Sequence, residues 1–157
     1  MRYTIESNIQ IRPGKERDCE TLARFNVAMA HETEGKKLRH DVVASGVRQM
    51  LRHPERGFYI VAEADSSLIG SLMVTAEWSD WRNGFFWWIQ SVYIDPGHRR
   101  KGIFRSLYGH VKTMAEERDD ICGFRLYVEQ ENRAAQATYA SLGMQETSYR
   151  MYEETVL

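Results

Sequence analysis

The stretch Ser91-Val92-Tyr93-Ile94-Asp95-Pro96-Gly97-His98-Arg99-Arg100-Lys101-Gly102-Ile103-Phe104 leads from the end of an apolar strand, through a short basic loop, into a helix. The first N–H groups of a helix lack intrahelical partners and point outward with the positive end of the helix dipole. They form a ready anion site, and a pyrophosphate is the natural ligand. Gly102 lets a phosphate come close to the backbone, while Arg99, Arg100 and Lys101 add charge. Without an anion, the same residues make a basic turn facing water, where cations oppose the dipole at some cost.

Other chemistries find less support. The histidines His31, His40, His53, His98 and His110 show no HxxxH or HExxH spacing, and no zinc site is expected. Cys19 and Cys122 lie far apart and read as buried thiols in a reducing cytosol. No Walker lysine-serine pair or dinucleotide glycine pattern occurs, which argues against a nucleotide-binding regulator.

The elements that must position the basic loop follow from periodicity. Ile9 and Ile11 mark a first strand over Ser7 to Arg12, stopped by Pro13-Gly14. Helical spacing runs from Glu16 to Glu34 through Cys19, Leu22, Ala23, Val27 and Ala30, and again from Leu38 to Arg52. Phe58–Ala64, Leu68–Glu77 and Phe85–Ile94 read as an antiparallel meander, with Asn83-Gly84 as a turn signal. A helix over Arg100 to Glu117 follows, with Ile103, Phe104, Leu107, Tyr108, Val111, Met114 and Ala115 on one face. Phe124, Leu126 and Val128 alternate as a fifth strand. Arg133 to Leu142 reads as a short helix, with Asn132 as N-cap and Gly143 just past its end. Met144 to Val156 is expected to supply one or two closing strands. The order β-α-α-β-β-β-α-β-α-β predicts an α/β (α+β) fold, a mixed, mostly antiparallel sheet of about 6–7 strands covered by about four helices.

Length fits one domain over residues 1–157, large enough to bury about 70% of the surface its unfolded chain exposes. A hydrophobic fraction of 43% excludes a disordered chain. The longest apolar runs, Phe58–Ala62 and Phe85–Ile89, fall far short of the about 20 residues of a membrane span. Arg2 and Glu6 interrupt the N-terminal stretch, so no signal peptide is expected and the location is read as cytoplasmic, without membrane association. A net charge of −1 excludes a strongly basic nucleic-acid binder. Trp87 and Trp88 on the aromatic strand offer a homodimer surface.

These residues resemble the GCN5-related N-acetyltransferase (GNAT) family. Arg99-Arg100-Lys101-Gly102-Ile103-Phe104 matches its phosphate-loop pattern (Gln/Arg)-x-x-Gly-x-(Gly/Ala), with Phe104 where the family has Gly or Ala. Asn132 and Ala135 through Tyr139 to Gly143-Met144 fit its Asn-x-x-Ala-x-x-x-Tyr-x-x-x-Gly-Phe pattern, with Met144 replacing Phe. The resemblance implies a splayed, V-shaped gap between strands 4 and 5 that takes the pantetheine arm of acetyl-CoA or coenzyme A. It implies that Val92, Tyr93 and Ile94 line that arm, that the Val92 N–H faces the thioester oxygen, and that Arg99 to Arg105 hold the pyrophosphate (Arg99, Arg100, Lys101, Gly102, Ile103, Phe104 and Arg105). Asn132 would contact the cofactor. Tyr139 lies two turns further on the same helix face and would protonate the leaving thiolate.

The implied activity is acetyl transfer from acetyl-CoA to a primary amine, small molecule or peptide, by direct attack in a ternary complex. Family members often carry a carboxylate base on the strand before the loop, but Phe85 to Val92 hold none; either the base comes from elsewhere, with Glu77 near the end of the preceding strand as the candidate, or none is used. Glu32 and Glu34 at the end of the first helix, with Trp78 near the hairpin, would suit a cationic acceptor. The same residues also fit a solvated helix end and strand end. A second reading is an acyl-CoA-binding module without transfer, which the missing strand carboxylate favours and Tyr139 opposes.

Overall fold

Successive side chains of a strand point to opposite faces, and β2 (Phe58–Ala64) shows how this sequence uses that rule. Tyr59 and Val61 belong to a buried cluster with Cys19, Leu22, Ala23 and Val47. These partners come from α1 (Cys19–Glu34) and α2 (His40–Arg52). Ile60 and Ala62, equally buried, therefore face the other side of the sheet. There the buried residues Ile103, Leu107, Tyr108 and Val111 of α3 (Ile103–Glu116) cover it. Helices thus flank both faces of one sheet.

The computed structural model describes residues 8–157. They fall into two compact units that divide after Tyr127. In the first, β1 (Ile9–Pro13), β2, β3 (Ser67–Ser79), β4 (Gly84–Ile94) and β5 (Ile121–Arg125) lie in the order β1-β2-β3-β4-β5. The first three pairings are antiparallel, while β4 and β5 are parallel. A parallel pair needs a crossover, which α3 provides. α1 ends at Gly35, whose φ of 62° lets its N–H bond back to the last turn. Among the described residues, no helix is long and apolar enough to cross a membrane.

The second unit holds α4 (Arg133–Ser141). Asn132 caps it, its side chain accepting from the Ala135 N–H at 3.2 Å, and Gly143 ends it at φ 92°. The closing strands expected over Met144 to Val156 do not form, so the described sheet has five strands rather than six or seven. Tyr149, Met151 and Tyr152 are exposed, so their alternation buries nothing, and a strand exists only where its backbone finds a ladder. The fifth strand also shifts upstream, ending at Arg125 and leaving Leu126 and Val128 outside. Ser7, taken as the start of the first strand, lies outside the described residues.

One polar group sits inside this architecture. The Arg12 guanidinium on β1 donates to both Asp18 oxygens, at 2.8 and 2.9 Å, and to Glu63 on β2 at 2.6 and 2.8 Å. Asp18 also accepts the Lys15 N–H at 2.7 Å. Arg12 and Asp18 are both buried. Burial pushes the Asp18 carboxyl up, but the Arg12 and Lys15 bonds outweigh it and hold its pKa below the ordinary value. A depressed carboxyl stabilises the fold above the ordinary carboxylate range and loses that contribution as pH falls through its folded pKa. Asp18→Asn should cost roughly 3 kcal/mol at pH 7 by leaving Arg12 underpaired. Its stability should also fall less than wild type's between about pH 5 and pH 3. Urea denaturation across that range checks both.

Candidate functional site

The site begins with an irregularity in β4. Gly70 and Ser71 of β3 pair with Ile94 and Tyr93, but Met73 pairs with Gln90. Leu72 alone therefore faces both Ser91 and Val92, a β-bulge with Ser91 at φ 50°. Beyond the bulge the Asp95 N–H donates to Ile69 O at 2.8 Å, toward β3. Neighbouring strand residues point their polar groups to opposite edges. Ile94 and Val92 thus turn their N–H and C=O groups to the edge away from β3. On that edge β5 pairs with β4 only from Phe85↔Ile121 to Trp88↔Arg125, while β4 runs on to Ile94. The strands part there, and the upper end of β4 presents backbone donors and acceptors along an unladdered edge.

The loop that follows is built by three local devices. Asp95 accepts from Gly97 N–H at 3.2 Å and pairs with His98 at 3.0 Å, closing a 3-10 turn over Pro96–His98. Arg100 takes φ 62° and Gly102 φ 77°, which turns the chain into α3. A Cβ at Gly102 would meet nothing within 4 Å, so the space above the first turn is open. Phe104 lays its ring parallel to Tyr108, centroids 6.0 Å apart, and Tyr108 meets Phe124 at 5.6 Å. The bulk of Phe104 is thereby placed along the helix side. Backbone N–H groups around an open first turn, beside an unladdered strand edge, fit an extended arm that ends in a pyrophosphate.

The remaining sequence candidates are distributed differently. Arg99 does not reach toward α3: its Nε donates to Ile94 O at 2.9 Å and its Nη2 to Glu32 Oε2 at 2.7 Å. Tyr93 donates its hydroxyl to Glu32 Oε1 at 3.4 Å. Burial, then the Glu32 charge, raise the Tyr93 pKa and keep it a donor. Glu32, expected to meet a cationic acceptor, is thus engaged by Arg99 and Tyr93. Glu34 pairs with Lys36 at 3.7 Å. A cleft of about 490 Å³ is lined by Val27, Ala28 and Leu38 together with Arg24, Lys36 and Lys37, and the surface they present to it is mainly apolar.

Glu77 accepts from Arg125 at 2.6 Å, and Arg125 lies over the Phe86 ring at 3.6 Å. Glu77 faces Phe86, six residues along β4 from Val92, or about 20 Å at ~3.3 Å per residue. The fold therefore does not bring Glu77 to Val92. Trp78 is half-exposed at the same end of the sheet and packs on Phe85 at 5.0 Å. Tyr139, in the second unit, is half-buried, and burial raises its pKa, so it stays protonated at neutral pH. Among the described residues no group of His, Cys, Asp and Glu could hold a metal ion. Sequence reasoning missed Arg12, Asp18 and Glu63, and it missed the partners of Glu32 and Glu77, because no local pattern announces them.

The family model described as "Acetyltransferase (GNAT) family" matches residues 20–144. A solved structure of a "possible acetyltransferase" from Clostridium difficile 630 is 47% identical, with a TM-score of 0.88, covering 96% of this chain and 99% of that one. This chain belongs to the GNAT acetyltransferase family. Two more distant structures share the fold. One is a GCN5-related N-acetyltransferase from Ralstonia eutropha JMP134, 22% identical, TM-score 0.78, covering 93% of this chain and 98% of that one. The other is a "predicted acetyltransferase" with acetyl-CoA from Clostridium acetobutylicum, 16% identical, TM-score 0.77, covering 93% and 96%. No protein of curated function matches the sequence significantly. GNAT acetyltransferases use acetyl-CoA as acyl donor, and the parted β4 edge with its open helix turn fits that molecule's extended, anionic form.

Gly70, opposite Ile94, lies close against the end of β4 and the start of α3. A Cβ at Gly70 would stand 2.8 Å from Ile94 Cδ1, 3.2 Å from Tyr93 O and 3.3 Å from Ile103 Cγ2. Gly70→Ala should push the end of β4 and the first turn of α3 apart. We expect a loss of about 1–3 kcal/mol in stability, the usual cost of overpacking. Coenzyme A affinity measured well below the melting temperature should weaken several-fold.

Proposed function

We propose that this acetyltransferase moves the acetyl group of acetyl-CoA to a primary amine of a small molecule or peptide, by direct attack within a ternary complex. The observation that carries this reading is the bulged β4, whose Val92 and Ile94 polar groups face an unladdered edge beside the open first turn of α3. Acetyl-CoA supplies the acyl group already activated as a thioester. The Val92 N–H serves as the oxyanion donor, stabilising the carbonyl oxygen as it gains charge. The N–H groups from Arg100 to Arg105, with the charge of Arg100 and Lys101, hold the pyrophosphate at the positive end of the α3 dipole. The match of Asn132 and Tyr139 to the family pattern supports their part in binding and in proton donation to the departing sulfur. Burial keeps Tyr139 protonated for that task. We also read residues 1–157 as one N-acetyltransferase domain, supported by a family match that runs through both compact units.

Two variants test the reading. Gly102→Glu should place a carboxylate in the phosphate path and weaken coenzyme A at least tenfold by calorimetry. Gly102→Ala meets the same backbone strain at φ 77° and controls for it. Unchanged coenzyme A affinity in a folded Gly102→Glu protein overturns the site. Tyr139→Phe removes one proton source and keeps the ring. It should lower kcat roughly 10–100-fold, with KM for acetyl-CoA and the melting temperature nearly unchanged.

A further inference from the structure

We propose that Glu32 and Arg99 form a positioning pair that holds the open edge of β4 in its binding shape, and that Arg99 works through Ile94 instead of as a phosphate ligand. The inference rests on the reading of that edge as the coenzyme A site.

Two of the Arg99 guanidinium's donors are engaged within the protein. Nε binds the Ile94 carbonyl at 2.9 Å and Nη2 binds Glu32 at 2.7 Å. Its central carbon lies 5.5 Å from the Tyr93 ring centroid. That ring packs on Phe25 of α1 at 4.8 Å, and its hydroxyl reaches the second Glu32 oxygen at 3.4 Å. A planar, rigid fork thereby ties three pieces of chain: the last turn of α1, the end of β4 and the loop leading into α3. The carbonyl it takes is one of the groups Ile94 turns to the open edge. Val92 N–H and C=O and the Ile94 N–H keep that direction. Glu32 and Arg99 are each about 40% exposed in their side chains, at 39% and 43%, so the pair contributes little to global stability. Its effect is on where the edge stands. The family pattern places a phosphate-loop residue at Arg99, and the side chain here is turned the other way by a carboxylate 67 residues distant in sequence.

A brace and a phosphate ligand respond differently when Glu32 is removed. Calorimetry would use coenzyme A and pantetheine, which lacks every phosphate, on wild type, Glu32→Ala, Glu32→Gln, Arg99→Ala and the Glu32→Ala/Arg99→Ala double variant. A brace predicts that each alanine variant weakens both ligands by a similar factor, roughly 10–150-fold, the range for a hydrogen bond to a charged group. The double variant should be no weaker than the weaker single one. Glu32→Gln keeps an acceptor for Nη2 and should recover most of the loss. In turnover, KM for acetyl-CoA should rise while kcat stays within about twofold. The proposal is overturned if Arg99→Ala weakens coenzyme A but not pantetheine while Glu32→Ala binds as well as wild type or better. It is also overturned if the two losses add. A wild-type protein that binds neither ligand overturns instead the coenzyme A reading on which the proposal stands.

Discussion

One additional residue in β4 sets the geometry of everything around it. Because Leu72 faces both Ser91 and Val92, the strand bends and its polar groups beyond the bulge change edge. Pairing with β5 stops at Trp88 and Arg125, where β5 ends, and the β4 backbone beyond it has no strand neighbour among the described residues on that edge. The same bend delivers the chain to the loop where Arg100 and Gly102 take positive φ and α3 starts over open space. Gly70 permits the arrangement, since any side chain there would meet Ile94, Tyr93 and Ile103 at once.

The charged groups divide by what they join. Arg12, Asp18 and Glu63 are tied to one another by short bonds and lock the β1–α1 corner, away from the chemistry. Glu77 and Arg125 join β3 to the end of β5 where the strands part, with Arg125 also covering Phe86. Glu32 and Arg99 join the helix on one face of the sheet to the strand that carries the site. Glu32, expected to meet the acceptor, and Glu77, expected as the base, are therefore each held by an arginine, while Glu34 pairs with Lys36. Within the first unit, the site's character is set by backbone groups and dipoles more than by free acids.

Much of the fold was legible because its signals are local. Asn83 takes a positive φ of 49° as the last residue of the β3–β4 turn, Gly143 follows the end of α4, and Asn132 caps that helix. These outcomes depend on residues a few positions apart, where steric and capping preferences act directly. The closing strands failed for the complementary reason. Alternation in Tyr149 and Met151 states what a strand would prefer, but a strand also needs a partner edge, and no ladder forms over Met144 to Leu157 among the described residues.

The sequence by itself therefore determined the strand–loop–helix that could hold a pyrophosphate, the order of its neighbours and the family. Each is written in contiguous residue types whose backbone preferences are intrinsic. Tertiary structure alone decided that Arg99 would face Glu32 and that Glu77 would be held by Arg125 opposite Phe86. Those pairings bring together residues 67 and 48 positions apart. A long, charged side chain reaches any of several partners with little intrinsic preference, so its role is fixed only when packing brings one partner within hydrogen-bond distance.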